Sequence, residues 1–276
     1  MNDIWAPLRA ATQARIGLGR AGDSLPTRRV LEFQAAHAAA RDAVHDPLDV
    51  DGLTERLRHV GIEAPLRVCS RASSRGEYLR RPDLGRSPAD LSGLPKNKAD
   101  IGFVLADGLS PRALTDHAAG MVDALVREFD GRYRIAPPVI ATQARVALGD
   151  HIGQALGVTT VLVLIGERPG LSVADSLGIY LTHRPKPGLT DADRNCISNI
   201  HPPDGLDYPT AAAVAAALVA GARELGRSGV ALKDTTRAAI GAAPPTSAPE
   251  EIDRSTAGPR PSSRPAAGNH PAPHAD

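Results

Sequence analysis

Hydrophobic side chains recur at helical spacing early in the chain and gather into unbroken runs in its middle. Val30, Phe33, His37, Ala40 and Val44 lie three or four positions apart, which predicts one face of a helix over Thr27 to His45, with Pro26 near its first turn. A short second helix is predicted over Leu53 to His59. Leu66-Arg67-Val68-Cys69 alternates as a half-buried strand does. Ile101 to Ala106 and Val161 to Ile165 are continuous aliphatic runs, and Val139 to Thr142 is a weaker third. Such runs suit strands buried on both faces. Ser110 and Pro111 supply an N-cap and a first helical residue, and Leu114, Ala118, Met121, Leu125 and Phe129 continue as an apolar stripe. Leu148, Ile152 and Leu156 predict another helix, ended by Gly157. A further strand fits Leu177 to Thr182, and an alanine-rich helix fits Thr210 to Leu225.

Alternating strands and helices predict an α/β fold with a mostly parallel, Rossmann-like sheet. The predicted division is a helix-rich N-terminal region over 1–97, an α/β domain over 98–234 and a disordered Pro/Ala-rich tail over 235–276. That tail holds no Phe, Tyr or Trp, so ordering it would bury too little apolar area to offset the lost entropy. Its His270 and His274 are poor candidates for a metal site. The loops Asp107–Ser110, Gln143–Ala147 and Gly166–Leu171 each follow a predicted strand. In a parallel sheet all three open at the carboxyl edge, where open α/β sheets bind ligands.

Composition narrows the field. The 276 residues carry a net charge of +1 and only 3% aromatics, which argues against a nucleic-acid surface. No apolar run approaches the roughly 18 residues of a membrane helix, and the first residues do not read as a secretory signal. The two cysteines lie far apart, which fits a reducing cytoplasm better than a disulfide scaffold.

Several strings carry candidate chemistry. Gly17-Leu18-Gly19-Arg20-Ala21-Gly22 spells the dinucleotide fingerprint, but no strand precedes it and no helix follows at once, so a flexible connection is the better reading. Gly166-Glu167-Arg168-Pro169-Gly170 is either a turn with a surface Arg–Glu pair or a ligand loop in which Glu167 offers acceptor oxygens. Cys196 and His201 invite comparison with a nucleophile and its base. The alternative is a small buried cysteine in a hydrogen-bonded turn. Arg71, Arg75, Arg80, Arg81 and Arg86 surround Pro82-Asp83 as a basic, irregular stretch. No zinc-type spacing and no Walker-type phosphate loop occur.

Read together, the strings resemble the small subunit of ethanolamine ammonia-lyase. They are Ala14–Gly22, Tyr78–Arg86, Asp107-Gly108-Leu109-Ser110, Arg145-Val146 with Asp150 and Ile152-Gly153, Gly166–Leu171, and Cys196-Ile197-Ser198-Asn199-Ile200. The resemblance spans about Ala14 to Asp234. It implies an adenosylcobalamin enzyme that converts ethanolamine to acetaldehyde and ammonia by radical chemistry. A barrel-shaped large subunit would hold the substrate and most catalytic groups. The small subunit would cover part of the cobalamin through Val146, Glu167 and Cys196, in a cytoplasmic hetero-oligomer that some cells enclose in a microcompartment. Arg80 to Arg86 would be either a contact with the large subunit or a solvated basic loop. The base-off cobalamin signature Asp-x-His-x-x-Gly is absent; Asp116-His117-Ala118-Ala119-Gly120 has the wrong spacing. A stand-alone α/β enzyme or small-molecule binder using the same crevice is the competing reading.

Overall fold

The structure, a computed structural model, describes residues 3–62 and 64–233. The expectation for residues 235–276 lies outside them. A six-stranded sheet forms the centre: β1 (Leu66–Cys69), β2 (Ile101–Ala106), β3 (Val139–Thr142), β4 (Thr160–Gly166), β5 (Leu177–His183) and β6 (Asn195–Ile200), in the order β1-β3-β2-β4-β5-β6. The β1–β3, β3–β2 and β2–β4 pairs are parallel. The sheet therefore takes one strand from before residue 98.

β5 and β6 run antiparallel to their neighbours. The connection from β4 to β5 is short and carries no helix, and a parallel return needs a crossover of a dozen or more residues. β6 was not expected as a strand. Its alternation is weak because it lies at the sheet's edge, with Ile197 and Ile200 buried and Cys196, Ser198 and Asn199 exposed.

The middle strands bury side chains on both faces, as their aliphatic runs demand. Ile101, Phe103 and Leu105 pack with α3 (Val50–His59), α5 (Pro111–Phe129) and α7 (Tyr208–Leu225), while Val104, Ala106, Val161 and Val163 pack with α6 (Leu148–Leu156) on the other side. Ser110 caps α5 by accepting from the Ala113 N–H, and Gly157 ends α6 in the left-handed conformation with φ of 71°. A buried Asp150–Arg194 ion pair ties α6 to the segment entering β6.

The predicted N-terminal helix is present as α2 (Thr27–His45), but only Ala43 on it is buried, and Val30, Leu31 and Phe33 face outward. Part of the stretch read as irregular is also helical: α4 (Arg75–Arg80), capped by Ser74, which accepts from the Glu77 N–H. The preceding α1 (Ala6–Ala10) is short. No helix among the described residues is long and apolar enough to cross a membrane.

Candidate functional site

The three loops singled out by topology meet at one cleft. Gly108, Leu109, Arg145, Val146, Ile165, Gly166, Glu167 and Arg168 line it, with Tyr78 from α4 and Tyr180 from β5. Its volume of about 330 Å³ is at the small end for a ligand pocket, so it accepts the edge of a large molecule rather than enclosing one.

Asp107 ties two of these loops together. It is 1% exposed, and its carboxylate accepts from the Gln143 and Ala144 N–H groups at 2.7 and 2.8 Å. Arg75 stands 3.5 Å away. Burial pushes the Asp107 carboxyl above its ordinary range, while the two N–H groups and Arg75 pull it back. This carboxylate holds Gln143 in a left-handed conformation, φ 53°, which costs a non-glycine residue about 1 kcal/mol or more. The β2 and β4 loops then interlock. A side chain at Gly108 would strike the Gly166 carbonyl, and one at Gly166 would strike that of Ser110. Only glycines permit this approach, and the Leu109 N–H donates to the Gly166 carbonyl at 3.0 Å.

Glu167 projects from the end of β4. Its Oε2 accepts from the Ser176 hydroxyl at 2.5 Å and from the Asn199 N–H at 3.2 Å. Its Oε1 has no hydrogen bond among the described residues. The surface Arg–Glu pair weighed for this loop is not formed: no ion pair of Arg168 occurs among the described residues. Val146 puts an apolar wall beside Arg145. Arg145 and Arg75 lie 4.4 and 4.8 Å from the centroid of the Tyr78 ring, and the Tyr78 hydroxyl donates to the Ala144 carbonyl at 3.1 Å.

Cys196 lies on β6 opposite Tyr180, one strand beyond the cleft wall. The buried-turn reading is corrected: the residue sits in a strand and is exposed. Its surroundings push the thiol pKa up: desolvation leads, Tyr180 partly opposes it, and the nearby Glu167 carboxylate adds to the rise. A protonated thiol is a poor nucleophile. His201 Nε2 lies 2.8 Å from the Asn199 side-chain oxygen, so it is engaged there rather than with Cys196.

The dinucleotide reading fails on context as expected, since Gly17, Gly19 and Gly22 follow α1 and precede α2 with no strand between. His117, from the near-miss cobalamin string, is buried on α5 with Nδ1 2.8 Å from the Tyr208 hydroxyl. Arg81 pairs with Asp83 at 2.8 Å. Among the described residues, no cluster of three His, Cys, Asp or Glu side chains is arranged to hold a metal ion. Tyr78, Asp107, Ser176 and Tyr180 were given no role from sequence. Two had a local signal: Asp107 opens a strand-end loop, and Ser74-Arg75-Gly76-Glu77 has the capping-box spacing that starts the helix of Tyr78.

The family model for ethanolamine ammonia-lyase light chain (EutC) matches residues 2–233. The chain belongs to that family. It is 70% identical over 236 residues to an ethanolamine ammonia-lyase small subunit of Rhodococcus erythropolis, an alignment covering 86% of this chain and 92% of the relative. Small subunits from Rhodopseudomonas palustris (strain BisA53) and Ralstonia nicotianae (strain ATCC BAA-1114 / GMI1000) are 49% and 47% identical, covering 82% and 83% of this chain and 88% of each relative. Membership makes the chain a lyase subunit.

Proposed function

We propose that this chain is the small subunit of an adenosylcobalamin-dependent ethanolamine ammonia-lyase, and that its cleft closes one side of the cobalamin site. The observation that carries the reading is the convergence of Val146 and Glu167 on one cleft, with Cys196 on the strand beside its wall. The donor set fits such a cofactor. Corrin side chains end in primary amides, whose N–H groups need acceptors, and Glu167 keeps Oε1 available while Oε2 is anchored. Val146 and the Tyr180 ring supply apolar surface for the body of the molecule. Bound, the cofactor supplies radical chemistry through its cobalt–carbon bond for the conversion of ethanolamine to acetaldehyde and ammonia. This chain's residues bind, orient and exclude water; the large subunit holds the substrate and most of the catalytic groups. The complex works in the cytoplasm, with or without a surrounding microcompartment.

The region 1–97 serves as the contact with the large subunit. Ile4, Trp5, Leu8, Leu25, Val30, Leu31 and Phe33 are all exposed, an apolar concentration that marks an interaction surface. Arg80 and Arg86 supply a polar rim.

The test is co-purification with the large subunit, followed by absorption spectra with adenosylcobalamin. Retention of cobalamin only when both chains are present supports the reading. A chain that remains monodisperse alone and never binds the large subunit points to a stand-alone binder. Glu167→Ala in the complex is expected to weaken cobalamin retention about tenfold with unchanged assembly; full retention would remove Glu167 from the site.

A further inference from the structure

The cleft holds more positive charge than its own carboxylates balance. Arg145 and Arg168 line it against Glu167 alone, two cations to one anion, and the nearby Arg75 and Asp107 pair with each other. Asp107 is committed to Arg75 and to two backbone N–H groups. Arg145 has no carboxylate within ion-pair distance and no side-chain hydrogen bond among the described residues, and its Nε is buried without a partner. A partly desolvated guanidinium in this condition is unfavourable until an acceptor arrives.

Arg145 is also held in place. Its guanidinium lies against the Tyr78 ring, an arrangement that fixes the plane of its donor fork. Its backbone N–H donates to the Gly85 carbonyl at 2.8 Å. A Cβ at Gly85 would fall 2.8 Å from the Tyr78 ring and 3.0 Å from Arg145 Cγ, so this glycine makes room for both side chains. A planar, fixed, unpaired fork is the arrangement that recognises a phosphate group.

We propose that Arg145 receives the phosphodiester of the cofactor's nucleotide tail, the one anionic group that cobalamin carries. This rests on the cobalamin reading above. It makes Arg145 a binding residue for the tail, while Glu167 serves the amides of the ring.

The experiment compares two corrinoids on the assembled complex: cyanocobalamin, and dicyanocobinamide, which lacks the phosphodiester and the nucleotide. Dissociation constants are read by spectral titration, without turnover. Arg145→Met is expected to weaken cyanocobalamin about 10- to 100-fold, the range for charge-assisted hydrogen bonds, and to leave cobinamide within about twofold of wild type. Arg145→Lys, which keeps the charge but not the fork, is expected to fall between the two. It also carries the test if the Met variant fails to assemble. Equal weakening of both corrinoids, or of neither, overturns the assignment while leaving the cobalamin site standing. A wild-type complex that binds neither corrinoid overturns the cobalamin reading and this assignment with it.

Discussion

Glu167 divides its two oxygens between the protein and the cleft, and the division depends on a neighbour with no side chain. Oε2 is anchored by Ser176 and the Asn199 N–H. A Cβ at Gly178 would come within 2.9 Å of Oε1, so Gly178→Ala displaces the oxygen offered to the ligand rather than the backbone. Because only the tip of a flexible side chain must move, the variant is expected to fold and assemble normally yet bind cobalamin several-fold more weakly. Unchanged affinity would show that Oε1 does not meet the ligand. Cys196 makes a second prediction at this scale. Desolvation and the Glu167 carboxylate both favour its neutral form, so the thiolate appears only above the ordinary thiol range, which is about 8.5. Iodoacetamide labelling of the Cys196 peptide in the cobalamin-free complex, followed by mass spectrometry across pH, is expected to rise late; a midpoint below the ordinary range would contradict this assignment.

At the scale of elements, the cleft exists because the loops after β2 and β4 interpenetrate through Gly108 and Gly166. Gly166→Ala forces a methyl group against the Ser110 carbonyl. It is expected to destabilise the chain by roughly 2–3 kcal/mol, visible as a lower urea midpoint; an unchanged midpoint would mean that the loops part without strain. Most of these elements were legible beforehand. Ile101–Ala106 and Val161–Ile165 read as buried strands because both of their faces are covered, and Ser110-Pro111 announced the start of α5 through capping chemistry. β6 was not legible, because an edge strand that shows Cys196, Ser198 and Asn199 to solvent has no aliphatic run to betray it. α4 is a single capped turn and a half, too short for periodicity to register. Topology alone marked the loops that carry Val146 and Glu167, while the two residues were singled out for the cofactor through the family resemblance. The tie between the loops was not legible: Asp107 draws its partners from Gln143, Ala144 and Arg75, which are distant in sequence.

For the molecule as a whole, the sheet is covered on both faces and α3 packs against it, while α1 and α2 are left largely bare. α2 has 19 residues and buries one side chain, so it lacks the tertiary packing that supplies most helical stability in proteins. Amide exchange over Thr27–His45 is expected to be fast in the isolated chain and to slow about tenfold or more on adding the large subunit. The paired substitution Val30→Glu with Phe33→Glu is expected to abolish co-purification without changing the far-ultraviolet dichroism, since both side chains are exposed. Retained binding would move the contact elsewhere.

The bare stripe on α2 also has a consequence for supply. A copy of this chain made without a large subunit presents apolar surface to every other such copy, which favours self-association and proteolysis. Its steady-state abundance should therefore track that of its partner rather than its own rate of synthesis. Overproducing it alone should yield aggregates, whereas matched production should yield complex, so the ratio in which the two chains are translated becomes part of how the enzyme is made.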